Sequence, residues 1–323
     1  MGHSLRSWRE STARMTAGDH IQRLAGPMQI GFLHLTSPGL RTQLLTNQRL
    51  ITLGLTIDNR QAGLVVGQLD WPYRQRATGI IMSLCVDSAF RGRGYGIRLV
   101  QAMEAEMARA GMTRLHARWI DDVESSVAVS RLLEKRGWDA PAPDCMLCRS
   151  DLKLFTDPFI RTVRFRVEPP YTHATWDTLT PDDHETIREL VRTHHIGPGY
   201  DPHFESHLIE PTLSLALKHG GEVVGWQINH LVQPDTIRYT KTWIPDRLRS
   251  QGLRSSGIGF RLAMETVRLC RAASKRVPKS IMLFDWHNAR MQHFFERRLR
   301  HGLTSWSPIM ESGVLLGDGV GHG

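Results

Sequence analysis

Cysteine is scarce. The four residues, Cys85, Cys145, Cys148 and Cys270, are scattered through 323 positions, which excludes the disulfide framework of a small secreted domain. No run of 18 apolar residues occurs, so a helical membrane span is not expected. The opening stretch from Met1 to Glu10 is polar and reads as no secretory signal. Zinc-finger, basic-zipper and RNA-sheet motifs are missing, as is the Gly-Lys-Ser/Thr of a phosphate-binding P-loop. The expectation is therefore a cytoplasmic protein with no membrane and no nucleic-acid partner. The 41 basic residues against 32 acidic ones give +9, spread along the chain rather than packed in one tail. Phosphates on a small ligand, or plain solubility, account for that charge.

The 41% hydrophobic content is enough for real cores, and the length suggests two domains. Leu50 to Thr56 and Gly63 to Leu69 are apolar, β-branched runs around Asp58-Asn59-Arg60-Gln61, a hairpin signal. Ile80 to Val86 reads as a third strand. Leu99, Val100, Met103 and Met107 then fall at helical spacing before Gly111. Leu115 to Ile120 is a strand, and Val129, Leu132 and Leu133 mark a helix closed by Gly137. The second half repeats this order: a hairpin around His219-Gly220-Gly221-Glu222, a strand over Ile237 to Ile244, a helix marked by Phe260, Met264 and Val267, a strand over Ile281 to Phe284, and a helix marked by Met291, Phe294, Phe295 and Leu299. Thr180-Pro181 starts a further helix. Asp157-Pro158 interrupts the pattern, which places two domains at 1–152 and 153–323. The fold class is α/β, with a mixed, mostly antiparallel sheet flanked by helices in each copy.

The sharpest motif is Val86-Asp87-Ser88-Ala89-Phe90-Arg91-Gly92-Arg93-Gly94-Tyr95-Gly96. A strand enters a glycine-rich turn that opens a helix. Bare helix N–H groups, glycines that let the backbone approach, and two arginines make a diphosphate cradle. The run resembles the signature Arg/Gln-x-x-Gly-x-Gly/Ala of the GNAT superfamily of acyl-CoA-dependent N-acyltransferases, with Arg91, Gly94 and Gly96 at the fixed positions. The resemblance extends through Leu115–Trp119 and Leu132–Trp138. It implies acyl-CoA or acetyl-CoA as co-substrate. The backbone of Leu84, Cys85 and Val86 would meet the pantetheine arm, and the amides of Arg91, Gly92, Arg93, Gly94, Tyr95 and Gly96 the pyrophosphate. In the second half, Arg249-Ser250-Gln251-Gly252-Leu253-Arg254 has an arginine where the signature has glycine. The chain is thus similar to a tandem member with one intact and one degraded loop, the second copy binding the acceptor.

The strand Thr78 to Val86 carries none of the glutamate that many members use as base, and the usual tyrosine acid is replaced by Leu133 and, in the second copy, Phe295. Candidate proton carriers lie elsewhere. His194 and His195 stand in the loop Thr193-His194-His195-Ile196-Gly197-Pro198, and histidine is the residue type suited to taking a proton at neutral pH. Asp285 ends a strand that lines the acceptor cleft in the family. Tyr239 and Lys241 could reach the same cleft, whereas Trp226 and His230 read as packing residues. Cys85 lies beside the thioester position, but no neighbouring base would activate it. Cys145 and Cys148 read as strand residues. Asp201, His203 and His207 lack a second ligand pair, so no metal is expected.

The implied acceptor is a primary amine on a small molecule. The tandem order further resembles glycopeptide-antibiotic N-acyltransferases, which place a long acyl chain on an aminosugar, and mycothiol synthase, whose second loop is intact. Resistance and protein acetyltransferases stay open, as does a non-catalytic acyl-CoA sensor. A monomer or a homodimer is expected.

Overall fold

The computed structural model of the chain describes residues 19–71, 77–121, 125–162, 166–246, 248 and 257–317. They form two compact units. Unit 1 comprises Met1–Trp119, Val123–Ala142 and Glu311–Gly323, and unit 2 comprises Ile120–Asp122 and Pro143–Met310. Among the described residues no helix is long and apolar enough to cross a membrane.

Unit 1 begins with β1 (His20–Arg23), a 3-10 segment (Gly26–Leu35) and α1 (Pro38–Thr46). Then come β2 (Leu50–Ile57), β3 (Arg60–Gln68), β4 (Thr78–Val86), α2 (Tyr95–Arg109), β5 (Arg114–Ile120) and α3 (Ser125–Lys135). The sheet order is β1-β2-β3-β4-β5. The first three pairings are antiparallel and β4–β5 is parallel. The β2–β3 turn is shorter than the four residues expected. Only Asp58 and Asn59 stand between the strands, both at positive φ (46° and 61°), the conformation that matches strand twist in a two-residue hairpin. Both strands read as near-continuous apolar runs because the sheet is covered on two faces. Leu53, Leu55 and Val65 pack on one side with Leu99, Val100, Met103 and Met107 of α2. Leu64 and Val66 pack on the other with Phe32, Leu35 and Leu40.

Unit 2 holds β6 (Ala142–Ser150), the short helices α4 (Lys153–Thr156) and α5 (Pro158–Thr162), β7 (Tyr171–Thr175) and α6 (Pro181–Thr193). β8 (Leu215–His219), β9 (Glu222–Gln233), β10 (Thr236–Trp243), α7 (Ile258–Ala272), β11 (Lys279–Asp285) and α8 (Ala289–Phe294) follow. Its strand order is β6-β11-β10-β9-β8-β7, and β10–β11 is again the parallel pair. The order hairpin, strand, helix, strand, helix therefore occurs twice. Thr180 opens α6 through a reciprocal capping box with Asp183.

The two compact units divide at Ala142/Pro143. β6 pairs with β11 over six residues, from Ser150–Ser280 to Cys145–Asp285, and that ladder draws the segment after Ala142 into unit 2. β12 (Leu303–Leu315) crosses the division at Met310/Glu311. It was not expected as a strand, because Pro308 and Gly313 interrupt its alternation.

Candidate functional site

The site is built where β4 leaves β5. Their parallel ladder spans Thr78–Ile81 against Arg114–Ala117. The register with β3 shifts at the next residue, since Ile81 pairs with Gly67 but Ser83 with Val66. Met82 is thus the extra residue of a bulge, which bends and twists the strand. Burial follows: Thr78 to Ile81 are buried, Met82 is exposed and Ser83 to Val86 are half-buried. Among the described residues the β5-side edge of Leu84, Cys85 and Val86 therefore has no ladder partner. The Cys85 thiol pKa is raised, chiefly by burial and against the pull of Arg91, so it stays protonated.

Beyond Val86 the chain makes a tight turn. Asp87 Oδ1 accepts the Ala89 amide at 2.9 Å. Gly92 and Gly94 follow at φ 77° and 79°, a left-handed conformation that side chains rarely adopt. A Cβ at either position would meet nothing within 4 Å. Glycine is required there by backbone geometry and leaves the surface of the turn open. Gly94 is the N-cap of α2, whose first turn carries no acid and no side-chain cap. Its leading N–H groups and positive dipole end stay available to an anion. Gly96 has a different reason: a Cβ would lie 2.8 Å from Leu132 Cδ1, so glycine lets α2 and α3 approach.

The side chains of the motif divide. Arg91 turns back, its Nε donating to Val86 O at 2.9 Å. Arg93 is exposed at the turn. Tyr95 is buried, and its hydroxyl donates to Asp19 Oδ2 at 3.0 Å, so its side chain is turned away from the turn and engaged elsewhere. Arg98, absent from the sequence reading, lies over the Tyr95 ring at 5.7 Å. Its Nη1 is buried without a hydrogen-bond partner among the described residues. Leu133 is 1% exposed in the unit 1 core.

A second feature missed by the sequence reading is His116. Its Nδ1 lies 2.6 Å from Glu311 Oε1, and Arg118 Nε lies 3.7 Å from Glu311 Oε2. His116 stands opposite Ile80 in the β4–β5 ladder, two residues before the bulge. Only the return of the chain at β12 supplies its carboxylate.

The remaining candidates lie in unit 2. His194 and His195 are exposed at the end of α6. His195 adopts φ 49°, its amide reaching Arg192 O and the Ile196 amide Val191 O. That is the Schellman ending, in which the left-handed position favours glycine. Asp285 is exposed and accepts the His287 amide at 2.7 Å, while Asn288 caps α8 through the Met291 amide. Asp201 Oδ1 lies 3.0 Å from His203 Nδ1, and among the described residues no group of three or more ligand-type side chains is placed to hold a metal. Arg249, Gly252 and Arg254 of the second loop lie outside the described residues.

Lys241 does not reach an open cleft as expected. It is fully buried and its Nζ donates to the carbonyls of Asp201 and Phe204, pinning the loop before β8. Burial pulls its pKa down to about 8. His230 is also fully buried and falls to about 3, burial being the largest cause and Arg238 the next, so it is neutral near pH 7. The unfolded chain binds more protons at position 241 between pH 8 and 10.5, so this group makes stability rise with pH through that window. Urea midpoints measured from pH 7.5 to 10 are expected to climb in the parent more than in Lys241→Met. Parallel curves would remove this assignment.

Residues 22–138 match the family model described as Acetyltransferase (GNAT) family. A tandem GNAT protein from the clavulanic acid biosynthesis pathway superposes with a TM-score of 0.67 at 16% identity, covering 93% of this chain and 99% of that one. A GCN5-related N-acetyltransferase from Sphaerobacter thermophilus gives 0.61 at 15% identity, with 96% and 99% covered. A glucosamine N-acetyltransferase region of a fungal multi-domain GH3 β-N-acetylglucosaminidase gives 0.63 at 13% identity, with 93% and 38% covered. A comparison with curated proteins returned no match. At these identities the structures share the fold.

Proposed function

We propose that this chain, which matches the GNAT acetyltransferase family over residues 22–138 and has the fold of a tandem GNAT protein, transfers an acyl group from a coenzyme A thioester to an amine of a small molecule. One observation carries the reading. The acid-free N-terminus of α2 opens onto two left-handed glycines whose α-carbons face open space, directly after a strand edge that β5 has released. The amides from Arg91 to Gly96 would hold the diphosphate, and the backbone of Leu84, Cys85 and Val86 the pantetheine arm. The coenzyme supplies an activated thioester carbonyl.

The chain's own task is to position the amine and take its proton. In unit 1 the proton acceptor we assign is His116, steered by Glu311. In unit 2 the alternative is His195, with His194 next to it in the sequence and Asp285 at the end of β11. A non-catalytic acyl-CoA-binding protein is the second reading, favoured by the buried Leu133 and the acid-free β4.

One assay separates these readings: release of coenzyme A from acetyl- and decanoyl-CoA with a panel of small amines that includes aminosugars. Amine-dependent thiol release is expected, and its absence alongside tight acyl-CoA binding would favour the sensor. The aminosugar and long-chain reading fails if short acyl donors and simple amines react best. His116→Asn is expected to lower turnover by about 10²-fold or more. His195→Gly is expected to retain turnover while gaining about 0.5–1 kcal/mol from relief of the left-handed cap. Loss of turnover in His195→Gly, with His116→Asn active, would reverse the assignment.

A further inference from the structure

Unit 2 repeats the parting of parallel strands. β10 pairs with β11 only over Thr236–Tyr239 and Lys279–Met282, and its register against β9 shifts between Tyr239 and Lys241. A cavity of about 190 Å³ opens there under α7 and α8, walled by side chains such as Phe260, Met264, Met282, Phe284, Met291 and Phe294. Two of the polar groups that border it are engaged elsewhere: Thr240 Oγ1 donates to Arg238 O and Thr242 Oγ1 to Gln227 Oε1, whereas the Tyr239 hydroxyl is buried without a hydrogen-bond partner among the described residues.

A second cavity, of about 490 Å³, adjoins the first and shares Ile160, Met264 and Val267 with it. Every other residue lining it is an arginine: Arg161, Arg166, Arg268 and Arg271. Among the described residues the Glu265 carboxylate lies 3.2 Å from Arg166 Nη1 and 2.9 Å from Arg268 Nη1. Arg161 and Arg271 are exposed and pair with no carboxylate among the described residues. Guanidinium groups in such excess favour a carboxylate or phosphate oxygen, while the inner cavity favours hydrocarbon.

We propose that unit 2 binds an anionic amphiphile, a medium-chain fatty carboxylate, with its head on Arg161, Arg268 and Arg271 and its tail running past Met264 toward Phe294. Size sets the chain length. An apolar cavity of roughly 150 Å³ accommodates benzene, so the inner cavity takes about six carbons, and the carboxylate end occupies the arginine mouth. This site shares no residue with the glycine turn, so it stands or falls apart from the coenzyme reading.

Calorimetric titration of the full chain with octanoate tests it. Saturable binding of one octanoate per chain is expected, with octan-1-ol and acetate each at least tenfold weaker. The double variant Arg161→Glu/Arg271→Glu changes exposed side chains only, and is expected to lose at least tenfold in octanoate affinity while its affinity for acetyl-CoA is unchanged. Ala263→Phe, which intrudes on the inner cavity, is expected to block octanoate as well. No saturable octanoate binding, equal binding by the double variant, or octan-1-ol binding as tightly as octanoate would each overturn the proposal.

Discussion

Gly94→Asp is expected to abolish coenzyme A binding, with affinity falling by about a hundredfold or more, roughly 3 kcal/mol. The substitution places a carboxylate at the N-cap of α2, where no acid now stands. Aspartate is a favourable N-cap residue, since its oxygen accepts the N–H groups of the first turn. Those are the groups assigned to the diphosphate. The variant thus replaces the ligand's interaction with an internal one and adds like-charge repulsion. The left-handed backbone at φ 79° costs about 1–2 kcal/mol with a side chain, and the new cap offsets part of it, so α2 stays folded. Gly94→Ala keeps that strain without the charge and serves as the control, with a much smaller loss. Calorimetry with coenzyme A and acetyl-CoA reads both. Parental affinity in Gly94→Asp would remove the cradle, and with it the proposed activity.

The second large effect is on stability. Leu99→Ala is expected to cost unit 1 about 3–5 kcal/mol, the range for deleting a large side chain from a rigid core. Leu99 is 0% exposed and lies in the cluster that joins α2 to β2, β3 and β4. A Cβ at Gly63 would already lie 2.9 Å from Leu99 Cδ1, so helix and sheet are in close contact. Two compact units make a single unfolding transition unsafe to assume. Hydrogen exchange of the peptides covering β3 and α2 reports the loss locally, while peptides from β8 to β10 are expected to keep their protection. A change under 1 kcal/mol in the α2 peptides would mean that the helix is not held by this face.

The glycine turn could be found by eye because each requirement acts over a few residues. Two glycines supply positive φ, the strand before them is β-branched, and the helix after them has a regular apolar stripe. The hairpin at Asp58-Asn59 and the stop at Gly111 were readable for the same reason. His195 shows the opposite. A histidine pair beside Gly197-Pro198-Gly199 suggests chemistry in one dimension. In three dimensions the second histidine ends α6, a role set by backbone bonds to Val191 and Arg192. Lys241 was read as reaching a cleft. Whether a lysine on a strand faces water or two carbonyls depends on where residues 201–204 return, which no pattern around position 241 encodes.

By itself the sequence determined the doubled strand–helix order, the apolar stripes and the glycine turn at the head of α2, since periodicity and the sign of φ are properties of neighbouring residues. Only the tertiary structure decided that β6 joins β11, that Glu311 comes to His116, that bulges at Met82 and Thr240 part the parallel strands, and that four arginines gather at the mouth of an apolar cavity. Those outcomes rest on ladder register and packing between segments remote along the chain, where backbone pairing and the exclusion of water, rather than local preference, set the partners.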